Sequence, residues 1–319
     1  MERILLCNND DALKRMFGND AIIYTQEMLI AEPEKFKNTK YVFSTWGMPK
    51  LTEEEIRRCL PNLQAVFYCA GSVRAWARPF LNCGVKVFSA WAANAVPVAE
   101  YAAALIILSN KGFFKAARYT NNKEARNISK YHNPGNFDVK VGIIGAGMIG
   151  KLVIEKLHAS RIEVMVFDPF LPDEKAEQLG VQKVSLEKMF SECHVVSNHL
   201  ANNEQTKGML NGALFEKMEP YATFINTGRG AQVVEADLIR VLRERPDLTA
   251  ILDVTDPEPP VEESPLYTMK NCILTPHIAG SLNYEERRMR EYMEEEYESL
   301  ISGKPLRYEV TQKMLETMA

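Results

Sequence analysis

Short apolar runs alternate with amphipathic stretches from the first residues onward. The runs 3–7, 21–25, 40–46, 63–70 and 85–89 have the length and the β-branched or aromatic content of buried strands, and helical candidates lie between them. The clearest helix start is Thr52, where Glu55 three residues on completes a capping box at the head of the stretch 51–60. Strict alternation of strand and helix predicts a parallel sheet covered on both faces. The stretch 94–111 reads as one long, alanine-rich helix whose all-round apolarity predicts burial. After a polar, turn-rich segment, 121–136, a second alternating series begins, with strands at 139–144, 163–167, 195–198, 223–226, 249–252 and 272–274. A charged helix, 284–301, closes the pattern at Gly303, and its outer face is expected to be simply solvated. The expected fold class is therefore α/β, with two doubly wound parallel-sheet domains: a first of 1–93 and 285–319, and a second, 94–284, inserted into it.

Composition narrows the function classes. A length of 319 residues, with 46% hydrophobic and 25% charged side chains, provides core enough for two ordinary domains. Thirty-eight basic against forty-two acidic residues leave a net charge of −4, too mild to draw nucleic-acid backbone, so no nucleic-acid partner is expected. The longest apolar run, 99–109, carries Glu100 and falls short of a bilayer span, and the opening Met1-Glu2-Arg3-Ile4 has no signal-peptide plan. A cytoplasmic protein with no membrane partner is expected. Six cysteines stand singly, with no C-x-x-C pair, so neither disulfides nor a metal site is expected.

Gly145-Ala146-Gly147-Met148-Ile149-Gly150 is a G-x-G-x-x-G element set between a β-branched strand and a helix with apolar Leu152, Val153 and Leu157. In that context Gly145 permits the tight turn, Gly147 lets backbone approach a pyrophosphate, and Gly150 lets helix and sheet pack closely. Met148 and Ile149 open the helix whose N–H groups would face the phosphates. Asp168 ends the next strand, eighteen residues beyond Gly150, where such folds place an acid on the adenosine ribose. A carboxylate there repels a 2′-phosphate, so NAD is the expected cofactor. The plainer reading is a glycine turn used for packing and an aspartate that caps a helix.

Ligands of open α/β sheets lie beyond the carboxyl ends of the strands. Arg229, Glu258 and His277 follow three of the later strands, and each alone has a plain explanation as a turn, loop or cap residue. Together they meet the needs of 2-oxo acid reduction. His277 can give a proton to the carbonyl oxygen, Glu258 can hold the imidazole and support its charged form, and Arg229 can pair with the carboxylate.

At this point the chain resembles the D-isomer-specific 2-hydroxyacid dehydrogenase family over roughly 63–310. The matching residues are Val98-Ala99-Glu100, Gly145 to Gly150, Asp168-Pro169, His199-Leu200 with Thr206, Asn226-Thr227-Gly228-Arg229-Gly230, Leu252-Asp253-Val254 with Glu258-Pro259, Thr275 to Gly280, and Gly303-Lys304-Pro305-Leu306. The resemblance implies a Rossmann NAD-binding domain inserted into a flavodoxin-like substrate domain, and an arginine, glutamate and histidine triad that falls on Arg229, Glu258 and His277. It implies that Asp253 and the Thr227 backbone hold the nicotinamide end, with Thr206 and Gly280 also lining the cofactor. It implies too that the turn at Gly71 and Ser72 offers N–H groups to the substrate carboxylate.

The chain departs from the family pattern in places. The segment 121–138 is shorter and more polar than expected, and Asn198, Ala201 and Asn202 replace an apolar residue, a proline and a leucine, which predicts a wetter cofactor pocket. His199 is expected to be structural, and His132, His158 and His194 receive no role. Trp46 or Trp76 could wall the substrate pocket or equally belong to the core, and Arg74 and Arg78 could meet a second anionic group or be ordinary surface residues. The expected function is hydride transfer between NADH and a small 2-oxo acid, glyoxylate- or hydroxypyruvate-like, in a homodimer. The rival is an NAD-sensing, corepressor-like interaction protein of the same fold, and a hydrolase using bound NAD is a remote third.

Overall fold

The computed structural model describes residues 1–117 and 132–316, and the chain divides into two compact units, residues 1–94 with 281–319 and residues 95–280. The return to the first unit thus comes at 281 rather than at the expected 285. Of the polar segment expected at 121–136, residues 121–131 lie outside the described residues.

In the first unit β1 (Arg3–Leu6), β2 (Ile23–Tyr24), β3 (Tyr41–Ser44), β4 (Ala65–Tyr68) and β5 (Lys86–Ser89) run parallel in the order β2-β1-β3-β4-β5. That is the flavodoxin-like order. Successive strand residues point to opposite faces, so each strand feeds two cores. Ile4, Leu6, Val42, Val66 and Val87 pack on one side with Leu29, Ile56 and Phe80. Phe43, Phe67 and Phe88 form the other, a row of rings stacked 4.8 and 4.9 Å apart and covered by Met289 and Met293 of the helix Glu286–Ser302. The sheet is not wholly parallel as expected. Its sixth strand, β13 (Glu309–Val310), pairs antiparallel with β5, and a strand of two residues has no periodicity for a sequence reading to find.

The helix Glu286–Ser302 ends at Gly303 in the left-handed conformation, φ 70°, as its sequence predicts. Not all of its charges lie on that outer face. Glu286 is buried and accepts two 2.7 Å hydrogen bonds from the Arg15 guanidinium, and buried Glu296 accepts the backbone N–H groups of Arg307 and Tyr308. A buried charge persists only when so paired.

The second unit holds seven parallel strands in the order β8-β7-β6-β9-β10-β11-β12: β6 (Phe137–Ile144), β7 (Arg161–Phe167), β8 (Gln182–Lys183), β9 (Val195–Asn198), β10 (Thr223–Asn226), β11 (Thr249–Leu252) and β12 (Cys272–Leu274). This is the Rossmann order, extended by one strand, with its reversal between β6 and β9. β8 is a polar, exposed edge strand and carries none of the apolar signal that marks the others. The long helix expected at 94–111 spans Trp91–Asn110 and buries Ala99, Ala102, Ala103 and Ile106 with Val141, Ile143, Ile225 and Ile251. By length and composition it could cross a membrane, contrary to the short apolar run counted in the sequence, but more than half of it is buried within the protein.

Candidate active site

Strand register brings the second unit's polar groups together. Asn226 of β10 is level with Leu252 of β11, and Leu252 with Leu274 of β12. Three chain segments therefore leave the sheet in one row, with about 4.8 Å between neighbours. Arg229, Glu258 and His277 all follow from that row.

His277 and Glu258 meet directly, Nδ1 to Oε1 at 2.6 Å, with both side chains partly open to solvent. A carboxylate can only accept, so Nδ1 carries the proton and Nε2 is left for a reacting oxygen. The histidine sits in the left-handed region, φ 54°, an uncommon setting for a residue with a Cβ. Its loop is held there by Asp253. That buried carboxylate accepts the Ile278 and Ala279 N–H groups at 2.8 and 2.9 Å and the Thr275 hydroxyl at 2.5 Å, while the Asp253 carbonyl accepts the His277 N–H at 3.1 Å. Asp253 thus fixes the histidine loop, whatever it also does for a cofactor.

Arg229 donates to its neighbour's carbonyl, Gly228, at 2.7 Å. Burial pushes its guanidinium below the usual value, and the negative charge of Glu258 opposes that shift, so the two groups share one electrostatic environment. The next residue, Gly230, lies against the backbone of Thr255, where an added Cβ would collide with the peptide at 255–256. The arginine turn and the glutamate loop are therefore in contact through backbone.

The turn of Arg229 rests on a polar cluster that the sequence reading did not foresee. Asn198, Asn226 and Gln232 are all buried. The Asn198 Nδ2 donates to Asn226 Oδ1 at 2.9 Å and to Gln232 Oε1 at 2.6 Å, and Asn226 Oδ1 also accepts the Gly228 N–H. The expected wetting of the pocket by Asn198 is thus corrected, because its amide is consumed inside the protein. The available signal was three amide side chains at or just beyond two neighbouring strand ends.

At the β6 terminus the residues fit a dinucleotide. Gly145 has φ 90°, and a Cβ there would press on the backbone of His199 and Leu200; a Cβ on Gly150 would collide with the Gly145 carbonyl. Gly147, in contrast, faces open space, with nothing within 4 Å of an added Cβ. It precedes the helix Met148–Leu157, whose start has no side-chain cap, leaving the amides of Met148 and Ile149 for phosphate oxygens. Asp168, at the end of β7, accepts the N–H groups of Ala146 and Phe170, both at 2.8 Å, and so holds a carboxylate beside the glycine turn.

The remaining predicted residues divide. The Thr206 hydroxyl is engaged within its own loop, donating to the Ala201 carbonyl at 2.7 Å, and Thr227 is buried with its hydroxyl 3.2 Å from His199 Nδ1. His199 also has Ser197 at 2.9 Å, and burial pushes its pKa down to about 4, which suits a neutral structural imidazole. Gly280 ends the second unit. In the first unit the Ser89 hydroxyl donates to the carbonyls of Ala70 and Gly71, fixing the turn from which Ser72 stands exposed. Trp46 is exposed at the end of β3, whereas Trp76 is a core residue, its ring 5.0 Å from Tyr68 and 5.5 Å from Phe80.

The chain is similar to known proteins. The family model described as D-isomer specific 2-hydroxyacid dehydrogenase, NAD binding domain, matches residues 103–279, more than half of the chain. A D-3-phosphoglycerate dehydrogenase from Archaeoglobus fulgidus is 30% identical over 234 residues, covering 73% of this chain and 44% of that protein. The chain spans less than half the length of the curated relatives it matches first. Among solved structures, D-2-hydroxyisocaproate dehydrogenase superposes with a TM-score of 0.78 at 18% identity, covering 98% of this chain and 100% of the other. A phosphoglycerate oxidoreductase from Rhizobium etli gives 0.77 at 20% identity, covering 98% and 99%. These two likenesses show a common fold. With residues 103–279 matched by the family's NAD binding domain and a 30% identical relative aligned over 73% of its length, the chain belongs to the D-isomer specific 2-hydroxyacid dehydrogenase family.

Proposed function

We propose that this protein interconverts a small 2-oxo acid and its D-2-hydroxy acid with NAD as cofactor, acting on a substrate of the glyoxylate or hydroxypyruvate class. The observation that carries this reading is the 2.6 Å contact between His277 Nδ1 and Glu258 Oε1, one strand away from the turn of Arg229. Bound NADH supplies the hydride. The glycine turn and the amides of Met148 and Ile149 would hold its pyrophosphate, and Asp168 its ribose. The Arg229 guanidinium pairs with the substrate carboxylate and draws electron density from the adjoining carbonyl. His277 gives its Nε2 proton to the carbonyl oxygen as negative charge develops there. Glu258, on Nδ1, stabilises the imidazolium that makes this donation and leaves the neutral ring protonated on Nδ1, with Nε2 free to take a proton back. In the oxidative direction the same imidazole takes the hydroxyl proton.

The turn at Gly71 and Ser72 and the exposed ring of Trp46 are the first unit's candidates for binding the substrate. A homodimer belongs to the same reading, supported by the apolar side chains of Leu108 and Phe113, which stand exposed at and just beyond the end of the long helix. The deciding experiment is a panel of 2-oxo acids offered with NADH and followed by loss of nicotinamide absorbance. Turnover of at least one short 2-oxo acid is the expected result. Absence of turnover on every one, with NADH still bound, would instead favour an NAD-sensing interaction protein.

A further inference from the structure

One buried side chain joins the dinucleotide turn to the arginine. Gln232 is fully buried and uses both ends of its amide. Its Oε1 accepts the Arg229 N–H at 3.0 Å and the Asn198 Nδ2 at 2.6 Å. Its Nε2 donates to the carbonyls of Leu200 and Ala201 at 2.8 and 3.0 Å. The segment it grips, 199–201, is the one that lies on Gly145: the His199 N–H donates to the Ile144 carbonyl at 2.8 Å, and the His199 carbonyl is what a Cβ on Gly145 would meet at 3.0 Å. A continuous path therefore runs from the first glycine of the turn, through backbone 199–201, through the Gln232 amide, to the backbone of Arg229.

The space around this link is full. A Cβ on Gly228 would lie 2.6 Å from Gln232 Oε1 and 2.9 Å from Asn198 Nδ2, so the glycine before the arginine makes room for the amides. Asn226 braces the same turn from the other side, its Nδ2 donating to the Arg229 carbonyl at 3.2 Å.

We infer that Gln232 is a positioning residue: its amide clamps the Arg229 turn onto the segment that packs against the glycine turn, and so aims the guanidinium at the substrate carboxylate. The inference rests on the proposed reading of Arg229 as the carboxylate partner. It acts by preorganisation, since a side chain already fixed in its binding geometry loses less freedom when ligand arrives.

The test uses Gln232→Met, which keeps the length of the side chain and removes both hydrogen-bonding ends. Binding of oxamate, an unreactive mimic of a short 2-oxo acid, is measured in the presence of saturating NADH, and NADH binding is measured alone. The expected result is a tenfold or greater loss of oxamate affinity with NADH affinity changed less than threefold. In an Arg229→Ala background, Gln232→Met should cost oxamate little more, because its effect passes through the arginine. Full and additive losses, or an oxamate affinity that Gln232→Met leaves unchanged, would overturn the role. Amide hydrogen exchange over 227–232 reads the clamp without any substrate. Protection of the Arg229 amide in the unaltered protein, lost at least tenfold in Gln232→Met, supports the clamp itself and so separates its failure from a failure of the 2-oxo acid reading; equal exchange in both overturns the inference.

Discussion

At the scale of single residues, the proposed chemistry rests on an imidazole whose orientation is set twice over, by the Glu258 carboxylate on its Nδ1 and by the Asp253 carbonyl on its backbone. Replacing His277 by alanine should lower turnover by about 10² to 10⁴, the usual worth of a positioned proton donor, while NADH binds as before. Steady-state kinetics beside fluorescence titration of NADH would check this, and an equal loss of both would remove His277 from the chemistry. The three positions proposed as a triad could be singled out in the sequence because each follows a strand end inside a recognisable string of residues. Gln232 was not, since a buried glutamine beyond an arginine looks like any loop amide until the fold brings Asn198 and the 200–201 carbonyls to it. The two tryptophans were undecidable for the same reason. Trp46 and Trp76 both follow strands, and only tertiary packing separates the exposed ring from the one wedged between Tyr68 and Phe80.

Elements show a different contrast, between glycines that fold the turn and one that leaves it open. Gly150→Ala would force a methyl group onto the Gly145 carbonyl, so strand, turn and helix Met148–Leu157 must shift apart. Gly147→Ala places its methyl group in free space, where only a bound ligand would feel it. Thermal melts and NADH titrations of the two variants should therefore separate. Gly150→Ala is expected to melt lower and to lose NADH. Gly147→Ala is expected to melt with the unaltered protein yet bind NADH at least tenfold more weakly, and unimpaired binding would mean that the turn does not cradle the pyrophosphate. Most strands were visible in the sequence as apolar runs because both faces of each sheet are covered. β8 and β13 were not, since two-residue edge strands made of Gln182-Lys183 and Glu309-Val310 depend on pairing with a neighbour rather than on their own pattern.

For the whole molecule, the buried histidines set how stability answers to acid. Burial pushes the pKa values of His194 and His199 down from 6.5 to about 4. Between those values the unfolded chain takes up protons that the folded protein refuses, so stability falls as pH drops through that window, by up to roughly 3 kcal/mol for each histidine. Denaturant midpoints between pH 7 and pH 4 would measure the slope, and His194→Gln should flatten it; an unchanged slope would exclude that residue as a source. The two-domain plan was readable from the order of apolar runs, but the return of the chain to its first unit was placed too late, because the crossing at 281–282 has no strand or helix of its own and only one short 3-10 turn, Asn283–Glu285, leads from it into the closing helix. That return gives β13 to the free edge of β5 and Glu294 to Arg3. During translation the second unit can then finish before the first. All of 95–280 has emerged, and can close its own sheet, while the opening ninety-four residues still wait for the tail that completes them.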